Sequence, residues 1–234
     1  LTGTFGVSRE LAANLALHVD AVISRTDNMN QRADINTPVN GVRPMAGWGQ
    51  IRQYASRGFH DYDALYVRLD KRLSNRHQYA ISYTLAKETN TGGTGEWRAF
   101  NDPALEVGPG DQDRRHTIVA SGAVLLPYDI TLGGVWNYRT SRPFSALAGR
   151  DLDANGRNSD YVPGTSRAVF NRGNNEENLA LVNAWRASQG LGTISLGQIV
   201  TDEYQTFDAR VSKSFALGGG QRVELVAQVF NLFG

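Results

Sequence analysis

The stretch His60–Lys87 reads HDYDALYVRLDKRL, then SN, then RHQYAISYTLAK. In its first half Leu65, Val67 and Leu69 fall on one face, and Tyr66, Arg68 and Asp70 on the other. In its second half Tyr79, Ile81, Tyr83 and Leu85 oppose Gln78, Ala80, Ser82, Thr84 and Ala86. A strand sends successive side chains to opposite faces, so this alternation predicts a long antiparallel hairpin turning at Ser74-Asn75. One face is greasy and the other is small, polar or charged. The greasy face suits lipid and the polar face a wet interior.

The same period repeats outward from this hairpin. Residues 1–9 alternate, with a turn expected at Glu10-Leu11-Ala12, and residues 13–25 place Leu15, Leu17, Val19, Ala21 and Ile23 on one side. Residues 113–126, 129–142, 204–215 and 221–233 alternate likewise, with turns at Pro127-Tyr128 and Gly218-Gly219-Gly220. The expected fold is all-β: an up-and-down antiparallel transmembrane barrel segment of about eight long strands, with one short loop helix. Strands of roughly 12 residues exceed the usual 5–6 and meet the 9–11 that a tilted membrane strand needs. Short and long links alternate, so the long stretches 26–59, 89–112 and 143–203 gather at one rim. Outer-membrane barrels have this asymmetry, with short periplasmic turns and long extracellular loops. A strand-like piece near residues 50–56 then has to be an excursion above the membrane. Tyr62, Tyr79, Tyr128, Tyr138, Phe207 and Phe215 sit near strand ends, where interfacial girdles form.

Composition sets bounds. The chain has 234 residues, 24 basic and 23 acidic side chains, and a formal charge of +1, which gives no electrostatic case for nucleic acid. It has no cysteine, which excludes disulfides and cysteine-ligated zinc. A mean hydropathy of −0.38 suits a soluble protein, but a membrane barrel also averages polar. The rival classes are a structural or adhesive barrel without transport, and a soluble β-barrel or sandwich binder.

The runs YDALYVRLDKRLSNRHQYAISYTLAK, GPGDQDRRHTIVASGAVLLP, YQTFDARVSKSF and QRVELVAQVFNLFG resemble the C-terminal part of TonB-dependent outer-membrane receptors. They look closest to the Oar-like subgroup, which carries a carboxypeptidase-regulatory-like domain. The resemblance implies location in the bacterial cell outer membrane and a barrel of roughly 22 strands with a plugged lumen. It also implies import of a bulky nutrient, energised by the TonB complex through an N-terminal region that this chain lacks. No plug domain is recognisable, and the chain stops where the family adds a further strand. It therefore reads as an internal fragment, the alternative being a complete eight-stranded barrel.

Alternation nominates Tyr66, Arg68, Asp70, Gln78, Ser82, Thr84, Asn137, Arg139, Asp208 and Arg210 as lumen-facing residues of a substrate path. Separately, Asp151, Asp153 and Asn155 carry oxygens at alternate positions before Gly156, like the first half of a calcium loop. Ser159 and Asp160 can complete it, because Val162 stands where the bidentate Glu belongs; the other reading is a solvated Asx-rich loop. Asp113-Arg114-Arg115-His116 reads as a charge cluster at the rim. His18, His60 and His77 form no ligand pattern. No acid, base and nucleophile converge, so no enzyme and no organic cofactor are expected. Residues 176–188 have helical spacing at Leu179, Val182 and Trp185, with Asn175 as cap and Gly190 as stop. This helix reads as a packed loop element, or else as a lid or partner-binding element.

Overall fold

The structure is a computed structural model and describes residues 1–92, 103–199 and 203–233. Residues 93–102 and 200–202 of the expected loops lie outside these. Nine strands are described: β1 (Thr2–Ala12), β2 (Leu15–Asp34), β3 (Arg52–Ser74), β4 (His77–Asn90), β5 (Gly108–Pro109), β6 (His116–Leu126), β7 (Ile130–Arg139), β8 (Tyr204–Gly218) and β9 (Gln221–Val229). One helix, α1 (Asn175–Ser188), lies between β7 and β8. The eight long strands pair antiparallel in the order β1-β2-β3-β4-β6-β7-β8-β9, and the two-residue β5 adds to the end of β4. The sheet does not close: β1 and β9 each keep an unpaired edge among the described residues.

Local chemistry sets the hairpins. The β3–β4 turn falls on Asn75 and Arg76, one residue later than expected, with φ of 50° and 69°. Gly219 and Gly220 repeat the pattern at 59° and 79°. Two positive φ values give the mirror-image turn whose twist matches the flanking strands. The first turn lies at Ala13 and Asn14, since Glu10, Leu11 and Ala12 remain in β1 beside a bulge. The strand-like piece near residues 50–56 is no separate excursion. It opens β3, and β2 climbs to Asp34 to meet it, with Asp34 opposite Arg52. Residues 26–34 and 52–59, expected as loop, are therefore a tall extension of one hairpin. At the other end β9 stops at Val229. Asn231 takes φ 50° and its N–H donates to the Asp208 carboxylate at 2.8 Å; past this kink the chain continues beside β8, the Leu232 N–H donating to the Phe207 carbonyl at 2.8 Å.

The register shows a level belt on the apolar face. Across the sheet Arg9 pairs with Leu17, and Leu17 with Leu69. Lys71 lies two residues beyond Leu69, two strands from Arg9. Lys71 pairs with Tyr79, and the row continues through Gly122 and Gly134 to Ala209. Lys213 lies four residues beyond Ala209 on β8. The three cations thus descend by one residue per strand crossed. A rise of about 3.3 Å per strand spacing of about 4.8 Å is a tilt of roughly 35°, as barrel strands have. Along that line every outward side chain above the three is apolar, aromatic or glycine, until Asp63, Arg25, Lys87, His116 and Gln205 mark the upper limit. On β3 the interval runs from Lys71 to Asp63, about eight residues, which at this tilt is roughly 22 Å. That is close to the ~25 Å apolar band of outer-membrane barrels.

Tyr79 and Phe215 fall at the lower limit of the belt, Tyr138 and Phe207 near the upper one, and Tyr128 in a short turn, 84% exposed. Tyr62 does not join them. It lies on the opposite face, its hydroxyl 2.8 Å from that of Tyr66. The apolar core is not between strands. Val162, Phe170 and Val182 are buried in the stretch 140–203, packed by Phe144, Trp185 and Ile194, while Phe5, Ile23, Leu65 and Ile81 on the strands are exposed. No described helix is long and apolar enough to cross a membrane; the crossing elements are strands.

Candidate functional site

The polar face of the sheet curls into a trough of about 790 Å³, bordered by side chains from β1 to β9. Arg68, Asp70, Gln78, Asp208 and Arg210 line it, and Tyr66, Ser82 and Thr84 border an adjoining recess. Asn137 and Arg139 share the face: the Asn137 amide donates to Thr206 at 3.3 Å, and the Arg139 guanidinium lies 5.6 Å from the centre of the Tyr204 ring. The wall also holds Glu10, His18, Asp20, Arg72 and Gln228, which alternation alone did not single out. Strand register is the signal that finds them, since it sets His18 opposite Arg68 and Asp20 opposite Tyr66.

Several of the wall's charges are paired locally. Arg68 donates two bonds to Asp70, at 2.7 and 2.8 Å. His18 Nε2 lies 3.7 Å from the same carboxylate, and its Nδ1 lies 2.8 Å from Ser8 Oγ. Arg210 faces Glu224 at 3.9 Å. Asp208 is partly committed to structure, because its carboxylate holds the Asn231 amide. Such a wall can offer exchangeable polar contacts to a hydrated solute.

Above the trough the loops form one tied assembly. Arg167, 5% exposed, donates to Asn90 Oδ1 at 2.8 Å, to the Asn90, Glu106 and Gly108 carbonyls, and to Asp111 at 3.0 Å. Arg172 holds buried Asp113 at 2.8 Å; burial pulls its own pKa down, against the pull of that carboxylate. Arg114, in the expected rim cluster, donates to the Thr140 carbonyl at 2.7 Å. Buried Asp34 accepts the Asn36 and Ile51 amides at 3.0 and 2.9 Å, pairs with Arg43 at 3.3 Å and faces Arg157 at 3.9 Å. The Gly41 amide donates to the Ala154 carbonyl at 3.1 Å. Stretch 140–203 therefore clamps both of the other loops. Its helix α1 buries Val182 and half-buries Leu179 and Trp185, and ends where Gly190 takes φ 70°. Asn175 is its first helical residue and Asn174 precedes it as cap.

In the Asp-rich loop, carboxylate oxygens of Asp151, Asp153 and Asp160 lie within 4.8 Å of one another. These three could hold a divalent cation. They are also the loop's own acceptors. Asp151 takes the Asn155 and Gly156 amides at 3.0 and 2.8 Å, and Asp160 takes the Leu152 amide. The Asn155 oxygen is engaged by the Arg157 amide at 2.9 Å. Val162, at the twelfth position, is in the apolar core and offers no side-chain oxygen. Burial raises the Asp153 pKa, partly offset by bonds from Asn155 and reinforced by Asp160.

An open sheet with a lipid-height belt, a polar concave wall and a loop cap agrees with the family comparison. Residues 3–234 match the model of the outer membrane beta barrel domain. The chain belongs to that family. This barrel domain lies in the outer membrane, against its lipid. Among solved structures it is similar to the siderophore receptor PiuA from Acinetobacter baumannii, with TM-score 0.53, 11% identity, and 96% of this chain against 23% of that one. It is also similar to the outer membrane transporter YddB from Escherichia coli, with TM-score 0.54, 9% identity, and 99% against 28%. At such identities the likeness is one of fold. The barrel domain spans about a quarter of each of those chains. No curated protein matches it in sequence.

Proposed function

We propose that this chain is part of the barrel of a TonB-dependent receptor of the Oar-like subgroup, importing a bulky nutrient across the outer membrane. The observation that carries this reading is the polar wall running the height of the apolar belt beneath a clamped loop assembly. A wall of paired charges and amides suits passage of a large hydrated solute, and the two unpaired edges suit continuation into a wider barrel. Energy would come from the TonB complex through a region outside these 234 residues. The substrate path would run along Tyr66, Arg68, Asp70, Gln78, Ser82, Thr84, Asn137, Arg139, Asp208 and Arg210. In a deletion strain, uptake is measured for a panel of iron chelates, oligosaccharides and peptides, with and without a protonophore. At least one compound should lose energy-dependent uptake and regain it on complementation. Unchanged uptake of the whole panel would reject the transport reading.

A second reading has its own support. Val39, Val42, Trp48 and Tyr54 lie exposed near the tip of the tall β2–β3 hairpin. Such a tip suits an adhesive barrel, and loss of surface attachment with unchanged uptake in the same strain would favour it.

A further inference from the structure

The lower limit of the apolar belt has one sign of charge. Its outward-facing ionised side chains on the strands are Arg9, Lys71 and Lys213, and all are basic. The acidic strand residues at that end, Glu10, Asp70 and Glu224, share the opposite face by register. The upper limit is mixed, with Arg25 paired to Asp63 at 2.7 Å and to Asp61 at 3.7 Å. Both lysines lean away from the belt. The Lys71 ammonium reaches Ser74 Oγ, three residues nearer the turn. That of Lys213 lies over the ring of Phe215 at 5.0 Å, two residues nearer its own turn. Long basic side chains at a membrane boundary stretch this way to put their charge at headgroup level. Three cations at one height, beside the aromatic rings of Tyr79 and Phe215, face outward and pair with no carboxylate among the described residues.

We infer that Arg9, Lys71 and Lys213 form a collar that selects anionic glycerophospholipid headgroups in the leaflet at the short-turn end of the barrel. A phosphodiester accepts hydrogen bonds from guanidinium and ammonium groups, and an anionic headgroup leaves a net negative charge for the collar to neutralise. Zwitterionic lipid offers the same phosphate but no net charge, so the selectivity is electrostatic. In the periplasmic orientation of short turns, this is the inner leaflet of the outer membrane.

The test uses the full-length protein that carries this chain, reconstituted in phosphatidylcholine vesicles with spin-labelled phosphatidylglycerol or spin-labelled phosphatidylcholine. The motionally restricted fraction of each label gives their relative association. Phosphatidylglycerol should be favoured several-fold, and salt near 1 M, where screening acts within about 3 Å, should remove the preference. The combined variant Arg9→Gln, Lys71→Gln, Lys213→Gln should bring the ratio to unity, whereas Lys87→Gln at the upper limit should leave it unchanged. A wild type without preference, a preference that survives high salt or the combined variant, or one lost in Lys87→Gln would each overturn the collar. The salt titration of the wild type decides the matter if the combined variant fails to insert.

Discussion

Single side chains carry the loop assembly. Arg167 is a buried cation surrounded by carbonyl and carboxylate oxygens from the 89–112 stretch. Arg167→Ala leaves the Asn90, Glu106 and Gly108 carbonyls without this donor, while Asp111 stays open to water. We expect it to cost about 2–3 kcal/mol of local stability. Hydrogen exchange should show faster amides around Asn90 and Gly108, with protection of β3 and β4 in the belt unchanged. Asp153 provides a pH test. Its folded pKa is raised, chiefly by burial, so the loop is most stable with this carboxyl protonated. That stability is complete below the ordinary aspartate value of about 3.9 and is lost as pH rises through the higher folded value. Exchange of the Gly156 amide, which is accepted by Asp151 and not by Asp153, should slow as pH falls across the acid range, once corrected for intrinsic rates. Asp153→Asn should flatten the profile.

The hairpin is the natural element on which to test the two faces. Val67 faces outward near mid-belt, while Ser82 faces the trough. Val67→Arg should cost about 2–4 kcal/mol, and Ser82→Arg far less, in equilibrium unfolding from bilayers. These 234 residues contain no cysteine, so within them a nitroxide label attaches only where one is introduced. Labels from Leu65 to Asp70 should alternate between oxygen and nickel accessibility with period two. A helical or uniform profile would remove the basis for the belt.

Across the whole molecule, two clamps join the loops at separate places. Asp34 locks the tall hairpin, and Arg167 locks the neighbouring stretch, both against residues 140–203. Asp34→Ala should raise exchange at the Asn36 and Ile51 amides without touching those that Arg167 protects. The double variant should then be additive within about 0.5 kcal/mol, as expected of sites without shared partners. The unpaired edges of β1 and β9 matter at this scale too. In hydrocarbon each orphan backbone group costs several kcal/mol, so a membrane sheet needs both edges covered.

Much of this was legible in the residues. Period-two alternation gave the eight long strands and the faces of Arg68 and Ser82, link lengths gave the meander, and helical spacing gave α1, because strand and helix periods are local properties of the chain. The resemblance of the quoted runs pointed to an outer-membrane barrel, in line with the family now established, and the receptor role stays a proposal. Other features depend on what lies opposite. Alternation places His18 on a polar face but says nothing of Arg68 and Asp70 beside it, since register is a relation between strands. Tyr62 looked like an interfacial aromatic because only its place near a strand end was weighed, although its parity with Tyr66 already sets it on the polar face. The tall hairpin was hidden because Pro, Gly and Asn in residues 35–51 blur the pattern, and cross-strand bonds alone extend β2 to Asp34. The sequence by itself determined a two-faced ribbon. Tertiary structure decided its tilt, the level ring of cations and the clamps on the loops, because each arises only when residues distant in the chain are brought to a common height.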